Sequence, residues 1–265
     1  MDAEHKIVFA LRDCGFSYRG WPCLHSLNLT LCSGRLYGLI GPNGSGKTTL
    51  INLLSGTAGP TAGVAELYGT AVQAYSKPAL ARLLSLVPQS FAMEFEYTVE
   101  EVVMMGRHPY IGRFGSPAGA DRELVFNALK TLDILHLKDR SITRLSGGER
   151  QRVLVARALA QNTGVMILDE ATANLDVRHS IDIMKTLRRR VTAEGATVIA
   201  AVHDLDLAAA FCDELIVMDS GGIHAAGSVR ELLQPELLQR IFSVEAQILY
   251  PADDTPHIHY RYNHG

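Results

Sequence analysis

Residues 36–54 read LYGLIGPNGSGKTTLINLL, and this stretch decides the fold. Leu36-Tyr37-Gly38-Leu39-Ile40 is an apolar run of the length of a buried strand. Leu50, Ile51, Leu53 and Leu54 have the spacing of an apolar helix face. Between them lies Gly41-Pro42-Asn43-Gly44-Ser45-Gly46-Lys47-Thr48-Thr49. Strand, glycine-rich turn and helix form the setting of a P-loop, and every position of G-x-x-x-x-G-K-[ST] is filled. The glycines let the backbone curl so that successive N–H groups point inward. Together with the helix N-terminus they make an anion site. Lys47 can reach the outer phosphates as a point charge, and the Thr48 hydroxyl can ligate Mg²⁺. The stretch therefore predicts a bound nucleoside triphosphate, with Mg²⁺.

Working outward, residues 6–13 and 27–31 are predicted as short strands, with Phe16 and Tyr18 between them. Gly56 is a stop for the P-loop helix. A strand at 64–68, a helix at 78–84 and a strand at 85–87 lead to Pro88-Gln89. From about 90 to 160 the texture becomes helical. Thr98-Val99-Glu100-Glu101 is a capping box, 106–119 is a Gly/Pro-rich loop, and 121–135 is a helix. Strand–helix alternation then resumes: strand 164–168, helix 178–191, strand 196–202, helix 205–211, strand 215–218. Ser220-Gly221-Gly222 is a hairpin turn, and Ser228 to Glu231 is another capping box, opening a helix broken near Pro235.

The expected architecture is α/β: a P-loop NTPase core of mixed sheet flanked by helices, with N-terminal antiparallel strands and an inserted helical lobe. The core takes about 1–89 and 161–230, the lobe about 90–160, and 231–265 a C-terminal helix and tail. The tail holds His257, His259 and His264 and reads as a loosely ordered polar end.

A second chemical element is Val165-Met166-Ile167-Leu168-Asp169-Glu170. Four apolar residues make a buried strand whose C-terminal edge, where ligands sit in an open α/β sheet, carries two carboxylates. Asp169 suits the surroundings of Mg²⁺, held through water or Thr48. Glu170 suits a base that orients an attacking water. The third element is Leu145-Ser146-Gly147-Gly148-Glu149. Ser146 and Glu149 make a capping box, yet two glycines in the first helical turn cost roughly 1 kcal/mol each. Glycines there let a phosphate approach the bare helix N-terminus.

GPNGSGKT, LSGGERQR, ILDEATANLD and a lone histidine in AVHD follow one another in this order. The chain resembles, over about residues 6–230, the nucleotide-binding subunit of an ATP-binding cassette (ABC) transporter. The resemblance implies further roles. Tyr18 would stack on adenine. Gln89 would touch Mg²⁺ and the attacking water and sense a permease. Ser146, Gly147 and Gly148 would clamp the γ-phosphate held by the P-loop of a second copy. Asp176 of Ala173-Asn174-Leu175-Asp176 would speak across that dimer, and His203 would contact the γ-phosphate. The family usually has proline after the glutamate, where this chain has Ala171; altered loop stiffness is expected, with activity kept.

The resemblance also implies a head-to-tail dimer around two ATP, powering a separate integral membrane permease served indirectly by a substrate-binding protein. The permease would dock near Gln89 and residues 90–110. Met105-Gly106-Arg107-His108-Pro109-Tyr110 resembles the importer branch for iron-siderophore, haem and cobalamin. Zinc or manganese uptake, export, or a soluble non-transport ATPase are the alternatives.

Composition agrees. A length of 265 residues with 47% hydrophobic residues supports a sizeable core. A net charge of -3 argues against a dedicated nucleic-acid binder. Cys14, Cys23, Cys32 and Cys212 have no disulfide or zinc spacing. The charged start lacks a signal-peptide apolar region, and no run is long enough to span a bilayer. The expected place is the cytoplasmic face of the inner membrane, peripherally bound.

Overall fold

The structure is a computed structural model, and it describes residues 6–89, 95–112, 115–173, 175–251 and 255–261. Strands β1 (Ile7–Tyr18) and β2 (Trp21–Cys32) form a long antiparallel pair. Next come β3 (Leu36–Ile40), α1 (Lys47–Leu54), β4 (Ala62–Leu67) and β5 (Thr70–Ala71). They are followed by α2 (Lys77–Leu83), β6 (Leu84–Val87), α3 (Val99–Met104) and α4 (Gly119–Thr131). The chain continues with α5 (Gly147–Gln161), β7 (Val165–Leu168), α6 (Val177–Glu194) and β8 (Thr197–Ala201). Then come α7 (Leu205–Phe211), β9 (Glu214–Asp219), β10 (Gly222–Ser228), α8 (Val229–Leu232) and α9 (Pro235–Phe242). The hairpin of β11 (Ala246–Leu249) and β12 (His257–Tyr260) ends the described chain.

One sheet is antiparallel, in the order β2-β1-β4-β5; the other is mixed, in the order β10-β9-β3-β8-β7-β6. Within the second, β9, β3, β8, β7 and β6 run parallel and only β10 is antiparallel. Its central strands are apolar throughout because both faces are covered. The period of two divides each strand between two cores. Val165 and Ile167 of β7 and Ile199 of β8 join Leu50, Ile51, Leu53 and Leu54 of α1 and the inner face of the antiparallel sheet. Met166, Leu168, Val198 and Ala200 face the opposite way, onto α5, α6, α7 and the C-terminal elements. Helix α1 is thus sandwiched between two sheets, and this holds the loop in front of it.

The mixed sheet, the flanking helices and the N-terminal antiparallel strands are as the sequence predicts. The differences are local. Phe16 and Tyr18 lie inside β1, because β1 and β2 run the full length of their hairpin through several register shifts. The segment read as a loop from 106 begins instead as a 3₁₀ turn, Met105–Tyr110. Helix α4 ends at Thr131 rather than near 135, where Asp133 takes φ +52° and Arg152 Nη1 donates to the Leu132 carbonyl at 3.3 Å. Within the tail, residues 257–260 pair with 246–249, where the sequence predicts a loosely ordered polar end. In His257-Ile258-His259-Tyr260 the histidines face solvent while Ile258 is buried, a period-two pattern laid against β11. His264, Asn174 and residues 90–94 of the expected docking stretch lie outside the described residues.

Candidate functional site

Four parallel strands end at one edge of the mixed sheet, and each delivers part of the site. β3 leads into the P-loop, β6 into Gln89, β7 into Asp169 and Glu170, and β8 into His203. This is the edge at which open α/β sheets bind ligands.

The P-loop ends in Gly46, the N-cap of α1, at φ +101°; an L residue there would be strained, and its Cβ would lie 2.6 Å from Leu24. No side chain caps α1, so its first N–H groups face the loop's concavity. The Ser45 hydroxyl is buried with no hydrogen-bond partner among the described residues. Lys47 is 5% exposed. Its ammonium donates to the Gly41 carbonyl at 2.8 Å and the Pro42 carbonyl at 3.1 Å. Burial pushes the Lys47 pKa down, while Glu170 and Asp169 pull it back up. An uncapped helix end, an orphan hydroxyl and a buried ammonium with two neutral partners fit a polyphosphate.

The Thr48 hydroxyl donates to Asp169 Oδ1 at 3.3 Å. Burial raises the Asp169 pKa, with the Thr48 bond and the charges of Lys47 and His203 opposing. The hard oxygen donors of Thr48, Asp169 and the Gln89 amide are of the kind that would hold Mg²⁺.

Glu170 has φ +53°, in the left-handed region. The Ala173 N–H donates to its carbonyl at 3.0 Å, and Ala171, in place of the expected proline, is buried. The Glu170 carboxylate takes Gln89 Nε2 at 2.6 Å on Oε2 and meets His203 Nε2 at 2.5 Å on Oε1. Gln89, Glu170 and His203 are 81 and 33 residues apart in sequence, by 170 − 89 and 203 − 170, and join in one hydrogen-bonded row.

Ser146, Gly147, Gly148 and Glu149 stand apart from this row. Ser146 caps α5: it accepts from the Glu149 N–H at 3.3 Å, and its own N–H and hydroxyl each reach Glu149 Oε2 at 2.8 Å. These bonds from Ser146 hold the Glu149 carboxyl below its ordinary range. Ser146 and Gly147 are exposed. Among the described residues no hydrogen bond joins them to the P-loop. Asp176 caps α6, taking the His179 N–H at 2.9 Å and the His179 ring Nδ1 at 2.8 Å. Tyr18 is 50% exposed and packs edge-on to Phe16 at 4.6 Å.

Several contacts escape sequence reasoning. The Gly221 N–H donates to the Ser45 carbonyl at 3.1 Å, so the β9–β10 turn latches the P-loop. Cys23 of β2 lies 3.3 Å from the Thr49 hydroxyl. Trp21 is the register partner of Tyr18 and is 80% exposed. No local pattern marks these residues, because each acts on a segment distant in sequence.

The Met105–Tyr110 stretch turns partly inward. Gly106 packs so closely on α5 that a Cβ would lie 2.3 Å from the Arg157 carbonyl oxygen. Arg107 is buried; its Nε donates to Asp121 Oδ1 at 2.8 Å. Its Nη1 donates to the carbonyls of Ala160 at 3.0 Å and Gln161 at 2.9 Å, closing the C-terminal end of α5. Its guanidinium stacks 4.1 Å from the Tyr110 ring centroid. On the outer side, Tyr97, Glu100, Glu101, Met104, Met105 and His108 line an open groove of about 550 Å³.

Comparison with known proteins finds similar sequences and similar folds. The sequence pattern described as "ABC transporter" matches residues 24–173. The cobalamin import ATP-binding protein BtuD of Halobacterium salinarum strain ATCC 29341 is 43% identical over 229 residues. That alignment covers 86% of this chain, which spans only 57% of the relative's length. The hemin import ATP-binding protein HmuV of Rhodopseudomonas palustris strain HaA2 is 37% identical, over 93% of this chain and 95% of that protein. An inward-facing structure of a metal-chelate type ABC transporter superposes with a TM-score of 0.82 at 28% identity, covering 97% of this chain and 98% of that one. With its P-loop, its strand-end carboxylates and these relatives, the chain belongs to the ABC transporter family.

Proposed function

We propose that this chain is the ATP-hydrolysing subunit of an importer, which works as a head-to-tail dimer beneath a separate membrane permease. The observation that carries the reading is Glu170 held between Gln89 and His203, beside Asp169 and Lys47. The P-loop N–H groups and Lys47 hold the phosphates. Glu170 accepts the proton of a water whose oxygen attacks the γ-phosphorus as the bond to the ADP oxygen breaks. His203 and Gln89 orient that carboxylate; Thr48, Asp169 and Gln89 would hold Mg²⁺, which when bound would supply charge neutralisation at the phosphate oxygens.

The dimer reading is supported by the exposed Ser146 and Gly147, which make no hydrogen bond to this chain's own P-loop among the described residues and are open to a second copy's. The permease reading is supported by the groove beside Met104, Met105 and His108, next to the Arg107 contact with α5. Movement of a docked helix there is passed along α5 to Ser146 at its other end. No described helix is long and apolar enough to cross a membrane. The names of the relatives, cobalamin import and hemin import ATP-binding proteins, support a cargo of the iron-siderophore, haem or cobalamin class, and a peripheral place at the membrane's inner face goes with that reading.

Glu170→Gln tests this. It is expected to lower ATP turnover by at least about a hundredfold while nucleotide still binds, and to accumulate an ATP-bound dimer in size-exclusion runs. Turnover at the wild-type rate would remove Glu170 as the base.

A further inference from the structure

The C-terminal hairpin touches the element that carries His203. Immediately after His203, Asp204 caps α7, accepting the Asp206 N–H at 2.9 Å and the Leu207 N–H at 3.1 Å. Asp206, in the first turn, lends the cap only its backbone N–H; its carboxylate Oδ1 accepts the N–H of Ile258, 52 residues further on, at 2.8 Å. The Ile258 side chain is 7% exposed and belongs to the apolar cluster that holds Leu205, Ala208 and Ala209 of α7. The hairpin is itself built: β11 and β12 pair over four residues, and the Arg261 N–H reaches the Glu245 carbonyl at 2.9 Å. A charged acceptor on a backbone N–H is a stronger bond than a neutral pair.

These contacts add to the Asp204 cap and the burial of Leu205 in holding a short helix. α7 is only seven residues long, and His203 stands on its entry with 43% of its side chain exposed. An isolated two-turn helix does not persist on its own propensity. We infer that Asp206 is a positioning residue: by clamping the C-terminal strand to α7 it fixes the backbone from which His203 reaches Glu170. The inference rests on the catalytic reading above and gives the end of the chain a task in the site.

Two substitutions attack the bond from opposite partners. Asp206→Ala removes the acceptor. Ile258→Pro removes the donor and keeps an apolar side chain, at an N–H directed to Asp206 rather than to the strand pair. Asp206→Asn keeps an oxygen acceptor and is the rescue. In the full-length chain, amide hydrogen exchange over residues 203–211 is expected to quicken about tenfold in the first two variants. The ATPase kcat should fall about fivefold with KM for ATP within about twofold, and Asp206→Asn should restore both.

Unchanged exchange in Asp206→Ala would overturn the clamp. Faster exchange with wild-type kcat would overturn its link to His203. The catalytic reading is judged separately: if Glu170→Gln hydrolyses ATP as fast as wild type, that reading fails, whereas the exchange data still decide whether the hairpin holds α7.

Discussion

His203 Nε2 and Glu170 Oε1 lie 2.5 Å apart, delivered by the neighbouring parallel strands β8 and β7. His203 has 43% of its side chain exposed and Glu170 13%. The histidine therefore stands at the mouth of the site and the carboxylate behind it. His203→Ala is expected to leave Glu170 with Gln89 alone, lowering kcat by at least about tenfold with a smaller change in KM. Steady-state kinetics check this; equal loss in both parameters would show His203 acting in binding and not on the carboxylate.

Lys47 offers two opposed readouts. Its ammonium is buried against two neutral carbonyls, and burial disfavours its charge. Lys47→Met should therefore raise the melting temperature of the nucleotide-free protein. The same change removes the cation from the phosphate site and should weaken binding of an uncleavable ATP analogue by at least about tenfold in calorimetry. Unaltered affinity would detach Lys47 from the phosphates.

Gly106 has no room for a side chain, since a Cβ would lie 2.3 Å from the Arg157 carbonyl oxygen in a helix backbone that cannot give way. Gly106→Ala should destabilise the fold by about 1–3 kcal/mol, read as a lower thermal midpoint. The same shift moves α5, so permease-stimulated ATPase should suffer more than basal ATPase. A variant as stable as wild type would contradict the close packing.

Three capping carboxylates predict acid sensitivity. Glu101 and Glu149 are held below the ordinary value of 4.5 by the N–H and hydroxyl of Thr98 and Ser146, and Glu231 by the hydroxyl and N–H of Ser228. Because the folded-state pKa is depressed, the unfolded chain takes up protons first as pH falls. Their stabilisation is present above about 4.5 and is lost as pH drops through the lower folded values. Thermal melts between about pH 6 and about pH 3 should show this loss, and a triple Glu→Gln variant should show a shallower one.

Trp21 faces Tyr18 across the β1–β2 hairpin and is the only tryptophan. If adenine stacks on Tyr18, ATP should change the Trp21 emission, and Tyr18→Ala should abolish the change and weaken ATP binding by about 1–2 kcal/mol. An emission blind to saturating ATP would move the base elsewhere.

Much of this protein is written locally. The P-loop, the apolar strand before Asp169 and the three Ser/Thr-x-x-Glu boxes are legible because each works within a few residues, through glycine conformations, burial period or caps. Residues 105–110 were legible as a motif but not as a structure: Arg107 reads as a surface cation until Asp121 and the carbonyls of Ala160 and Gln161 surround it. Residues 257–260 are hidden for the same reason, since a single isoleucine between histidines signals no core strand until it packs with α7.

By itself the sequence determined the glycine-rich loop between strand and helix, the strand-end carboxylates and the alternation of elements, for their chemistry and periodicity belong to contiguous residues. Only the tertiary structure decided that Gln89 and His203 grip Glu170, that Gly221 latches Ser45 and that Ile258 returns to Asp206. Those partners are far apart along the chain, and parallel strand order, which no local pattern encodes, is what brings the first three to one edge.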